Sequence, residues 1–110
     1  MTYQDISTMV ASIGLPYAYN EFPDGTDQAP PFICFLYDNS SNDFAADNTN
    51  YAIIRPLVVE LYTDNKDFTL EQTVETTLAS NGLFYTRNET YIASERMFLV
   101  TYTMEVCING

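Results

Sequence analysis

The sequence predicts an α+β fold, a single domain spanning residues 1–110 in the order α-β-β-β-α-β-β. An antiparallel-dominated sheet carries two amphipathic helices on one face. Three observations predict this. First, residues 84–108 hold two strand-like runs joined by Ala93-Ser94-Glu95-Arg96. In the second run Phe98, Val100, Tyr102, Met104, Val106 and Ile108 alternate with Leu99, Thr101, Thr103, Glu105 and Cys107. Strict alternation of this kind puts one face on a core and leaves the other for water or a partner. Second, two stretches carry apolar residues at helical spacing, each closed by a glycine. Third, the remaining apolar runs are joined by turn signals rather than crossover helices, which favours antiparallel pairing with helices on one side.

The chain opens with a helix over residues 2–13. Thr2 caps it, with Asp5 in the capping-box position. Ile6, Met9, Val10 and Ile13 form one stripe, Gly14 suits the C-terminal cap, and Pro16 forbids continuation. A short edge strand over 17–22 follows, then the turn signal Pro23-Asp24-Gly25-Thr26. Pro30-Pro31 is a stiff entry into the apolar run Phe32-Ile33-Cys34-Phe35-Leu36-Tyr37, read as a strand covered on both faces. Residues 38–50 are the most polar segment, read as a long hairpin loop in which Phe44 is an unexpected aromatic.

Residues 51–62 read as a long strand. Ile53, Leu57, Val59 and Leu61 line one face; Ile54, Pro56, Val58, Glu60 and Tyr62 line the other. Pro56 cannot donate to a ladder, so an edge position or a bulge is expected there. The second helix is expected over 69–81, with Thr69 and Gln72 as its capping pair and Leu70, Val74 and Leu78 as its buried stripe. Glu71 and Glu75 are expected on its outer side, and Gly82 with Leu83 closes it.

Composition narrows the function. A net charge of −11 with only Arg55, Lys66, Arg87 and Arg96 basic leaves no stripe that could displace counterions from phosphates, so no direct nucleic-acid recognition is expected. The same charge disfavours anionic membranes, and no long uncharged apolar run suggests a spanning helix. The N-terminus lacks a basic start and a signal-peptide core, so a cytoplasmic protein is expected. Cys34 and Cys107 both sit in apolar runs and are expected to be buried free thiols.

Catalytic constellations are lacking. There is no histidine, the commonest general base and a frequent zinc ligand. The four glycines sit at caps, a turn and the terminus, not in a phosphate loop. Asp38, Asn42, Asp43 and Asp47 are hard oxygen ligands, but neither the glycine nor the glutamate of the EF-hand spacing follows them. The expectation is a protein with no enzymatic activity, cofactor or metal site.

Several pieces carry a family resemblance: Ile13-Gly14-Leu15-Pro16-Tyr17, Pro30-Pro31-Phe32-Ile33, Val59-Glu60-Leu61-Tyr62, Asn81-Gly82-Leu83, and the closing Glu89-Thr90-Tyr91-Ile92, Glu95-Arg96-Met97-Phe98 and Val100-Thr101-Tyr102. With them the chain resembles, over nearly its whole length, the small tail-completion proteins (tail terminator or head–tail joining group) of long-tailed phages and prophages of Gram-positive bacteria. The resemblance implies a structural protein that assembles as a ring, typically a hexamer, at the head–tail junction of the virion. The ring would cap the tail tube, end its polymerisation and provide the surface that docks to the head. Its partners would be copies of itself, the tail tube protein and head–tail connector proteins.

The residues themselves suggest where such contacts lie. The long loop offers Asp43, Phe44 and Asp47, and the half-apolar second sheet face offers Val58, Tyr62, Leu99 and Thr101. Self-repulsion of an acidic chain would also discourage association before a template is present. Two other readings fit the same composition: a head–tail connector or minor capsid component, and an acidic inhibitor that binds a host factor. The inhibitor reading calls for acidic side chains aligned on one surface, whereas here they are interspersed with turns.

Overall fold

The computed structural model describes residues 1–23, 28–38, 42–43 and 52–109. Its elements are α1 (Tyr3–Ala11), β1 (Tyr17–Tyr19), β2 (Phe32–Tyr37), β3 (Asn42–Asp43), β4 (Ala52–Thr63), α2 (Phe68–Ser80), β5 (Tyr85–Ile92) and β6 (Met97–Asn109). The expected order holds, with the two-residue β3 added inside what reads as loop. The main path of the sheet runs β1-β2-β4-β6-β5, and β3 also pairs with β4. Among the described residues only β1 with β2 is parallel; the other pairs are antiparallel. Most of the turn expected at 23–26 and most of the loop expected at 38–50, including Phe44 and Asp47, lie outside the described residues.

Both helices cover the same face of the sheet. Ile6, Met9 and Val10 of α1 and Val74 and Leu78 of α2 pack in one core with Ile33, Phe35, Leu57, Val59, Leu61, Val100, Tyr102, Met104, Val106 and Ile108. The last five are the alternating set of β6, so the period-two pattern and the burial coincide. α1 starts where its cap dictates: Thr2 Oγ1 accepts from the Asp5 amide at 3.0 Å, and Asp5 Oδ2 accepts from the Thr2 amide at 2.9 Å.

α2 is capped two residues earlier than its sequence pattern suggests. Asp67 is its cap, with Oδ1 accepting from the Leu70 amide at 2.9 Å. Aspartate outcompetes threonine at this position, which leaves Thr69 and Gln72 inside the helix. The other end closes as expected. Gly82 takes φ +76°, its amide donates to Ala79 O at 3.0 Å, and the Leu83 amide donates to Leu78 O at 3.1 Å.

Three expectations need correction. Pro56 is in a central strand, and the β4–β6 register runs one-to-one past it from Ala52↔Asn109 to Thr63↔Phe98, without a bulge. The strand tolerates it because β2 ends there. The Asp38 amide donates to Pro56 O at 2.9 Å, and the proline nitrogen has no hydrogen to return. Beyond that point β3 takes over as the neighbour, opposite Ile53 and Ile54. Cys107 is exposed rather than buried, because strand parity puts it on the uncovered face; Cys34 is buried, and both are free thiols. Glu71 is the third correction, and its surroundings are described next.

Candidate assembly surfaces

Glu71 faces inward, 3% exposed, on the stripe it shares with Val74 and Leu78. Two cations meet it under the helix. Lys66 Nζ lies 2.5 Å from Glu71 Oε2, and Arg87 Nη2 from β5 holds Glu71 Oε1. Lys66 also reaches Glu89 at 2.6 Å, and Arg87 reaches Glu75 at 3.4 Å and Glu89 at 3.2 Å. The Tyr102 hydroxyl donates to Glu75 Oε2 at 2.8 Å from the core side. A carboxylate this buried is tolerated only with compensating donors, and here they are Lys66 from the turn before α2 and Arg87 from β5. The cluster fastens α2 to β5 and β6.

Among the described residues no helix covers the other face of the sheet. Strand parity arranges it in three rows. Phe32, Tyr62, Leu99 and Thr90 form the first; Cys34, Glu60, Thr101 and Asn88 the second; Leu36, Val58, Thr103 and Thr86 the third. Phe32 and Tyr62 stack with ring centroids 4.8 Å apart, and Phe22 packs edge-on against Phe32 at 5.4 Å. The chain after β1 therefore lies over one end of this face. A groove there is lined by Phe22, Pro30, Phe32, Cys34, Tyr62 and Met97, with Arg96 among the polar groups beside it.

Four of the residues expected at an interface, Val58, Tyr62, Leu99 and Thr101, are thus neighbours on one surface. Asp43 is not with them. Its backbone pairs with Ile53 near the far end of β4, about 30 Å along the strand from Tyr62.

Glu60 is the feature the sequence reading left out of the site, although it falls between Val58 and Tyr62 in the alternation. It is the carboxylate in the middle row, between Cys34 and Thr101. Burial lifts its pKa above the usual glutamate range, opposed by the Tyr62 hydroxyl, which donates to Glu60 Oε1 at 3.1 Å. Burial, with Glu60 and Glu21 nearby, also pushes the Cys34 thiol up to about 11, so it is no nucleophile at neutral pH.

The folded chain holds the Glu60 proton more tightly than the unfolded chain, so the ionised group lowers stability. The penalty is full above the raised pKa, fades as pH falls through it, and is gone once both states are protonated. Glu60→Gln, which keeps the Tyr62 acceptor, is therefore expected to raise the urea midpoint at pH 7 and to match the parent below about pH 4. A lower midpoint at pH 7 would contradict this account.

Among the described residues no group of three or more His, Cys, Asp or Glu is placed to hold a metal ion, and no helix is long and apolar enough to cross a membrane.

No family model matches the chain, and no curated protein matches it in sequence. Among solved structures, the fold is similar to that of a chain in the "Virion of native gene transfer agent (GTA) particle", with TM-score 0.59 and 14% identity. The likeness covers 98% of this chain and 91% of that one, so the α+β architecture is shared over nearly the whole of both chains.

Proposed function

We propose that this chain is a non-enzymatic structural protein of a phage virion that closes the end of the tail tube as a hexameric ring. In that position it would stop tube polymerisation and present the surface that docks to the head. One observation carries the reading: a fold matched over 98% of the chain in a gene transfer agent virion. The uncovered sheet face supports it. Phe32, Tyr62, Leu99 and Val58 give that face apolar contact area, while Glu60 and the −11 charge oppose association until neighbours or cations neutralise them. Copies of the chain, the tail tube protein and head–tail connector proteins are the partners this role requires. The chain would meet them at the head–tail junction, after synthesis in the host cytoplasm.

The test is native mass across protein concentration, at low salt and with millimolar magnesium, followed by electron microscopy of the protein mixed with tails lacking heads. A closed ring promoted by the cation, and density at one end of each tube, are the expected results. Density along the tube, or binding to heads alone, overturns the terminator reading; the latter would favour a connector or minor capsid role.

A further inference from the structure

The two edges of the sheet are unlike. β1 is three residues long, is preceded by Pro16, and is followed by Asn20 at φ +66°. That is a blunted edge. β5 is eight residues long, pairs with β6 one-to-one from Tyr85↔Met104 to Ile92↔Met97, and contains no proline, glycine, lysine or bulge. Among the described residues no strand pairs with its outer side, and the residue just before it, Phe84, is 92% exposed.

Residues 84–92 read Phe-Tyr-Thr-Arg-Asn-Glu-Thr-Tyr-Ile, which is symmetric about Asn88. Turned end for end, tyrosine meets tyrosine, threonine meets threonine, and arginine meets glutamate. We propose that β5 pairs antiparallel with β5 of a second copy about a two-fold axis through Asn88, joining two sheets into one. This contact is separate from the ring reading: a two-fold contact uses the same patch on both copies, whereas a ring needs two different patches.

Each pair in this register is favourable. Asn88 faces the partner's Asn88. Arg87 faces the partner's Glu89, and Glu89 faces the partner's Arg87. Those side chains are 35% and 36% exposed, which leaves them free to reach across the edge while still holding Glu71 and Lys66. Thr86 faces the partner's Thr90. Tyr85 faces the partner's Tyr91, a residue 51% exposed in the single chain. Phe84 shares the parity of Thr86 and meets the partner's Ile92, so the most exposed large apolar side chain gains a cover. Aromatic, threonine and opposite-charge pairs are the cross-strand combinations that stabilise antiparallel ladders. The occupant is a second copy because sequence symmetry and charge complementarity both require the same strand on the other side.

Cysteine scanning in a Cys107→Ser background tests both the contact and its register; Cys34 stays buried. In an antiparallel pair, opposite Cα atoms lie about 4.5–5.5 Å apart, within disulfide range. Asn88→Cys is expected to give a disulfide-linked dimer under mild oxidation. Thr86→Cys and Thr90→Cys are each expected to link poorly alone and readily when mixed. No dimer from folded Asn88→Cys overturns the proposal, as does equal linking by all three alone. As a reversible measure, Asn88→Lys sets two ammonium groups against each other on the axis. It is expected to weaken the dimer about tenfold by sedimentation equilibrium, with an unchanged circular dichroism spectrum. A dimer of unaltered affinity, or a parent chain monomeric at all concentrations, also overturns it.

Discussion

Arg87→Met is expected to destabilise the fold by about 3 kcal/mol, a fall in the thermal midpoint of roughly 15 °C for a domain of this size. The methionine keeps much of the arginine stem but leaves Glu71, with a side chain 4% exposed, facing only Lys66. A buried charge stripped of one partner costs far more than the net worth of the pair. The lower end of the usual range applies because Lys66 still pairs with Glu71 and Arg87 itself is a third exposed. The double variant Arg87→Met, Glu71→Met is expected to recover most of the loss, since two apolar groups of similar volume need no compensation. Calorimetry on the four proteins of the cycle decides this. A loss for Arg87→Met no larger than that of Glu95→Ala, a surface control, would sink it.

Leu57→Ala and Val58→Ala, one residue apart in β4, are expected to fail in different ways. Leu57 is 0% exposed, between Tyr37 and Met104 on the helix-covered face. Truncating it removes buried methyl groups and leaves a cavity, for a cost of about 3 kcal/mol. Val58 points the other way and is only partly buried. Its truncation is expected to cost under about 1 kcal/mol. The proposed ring should register it instead, as weaker assembly at a near-parental urea midpoint. Equal destabilisation by the two substitutions would mean the uncovered face is a second core rather than a contact surface.

Much of this architecture was legible in the sequence because its strongest signals are local. The alternation of β6, the opposed faces of β4, the Thr2 capping box and the Gly82 terminator each need only a few neighbouring residues. What escaped was set by distant partners. In α2 the repeat Leu70, Val74, Leu78 suggests one stripe, but the buried set is Glu71, Val74 and Leu78. A glutamate in a core stripe makes sense only once Arg87 arrives from another strand, and spacing does not report that. Pro56 is set in the same way by distant partners: its tolerance depends on β2 ending and β3 beginning at that point of the ladder. Of the residues expected at an interface, Val58, Tyr62, Leu99 and Thr101 share one face by parity alone, whereas the burial of Glu60, in the same alternation, depends on neighbours from other strands. The sequence symmetry of β5 carries meaning only after that strand is known to be an edge.

The order of strands has a consequence for how fast the chain reaches this state. β5 and β6 are joined by a four-residue turn and can zip early, with α2 adjacent and tied to both through Glu71 and Glu75. The central ladder, β4 with β6, instead joins strands separated by the whole of α2 and β5, and Ala52 must find Asn109. Loop-closure entropy is lost before that ladder returns any contact, which places folding on the millisecond-to-second scale of non-local sheets. During that interval the unpaired flank of β4, carrying Leu57, Val59 and Leu61, is the surface most open to capture by another nascent chain.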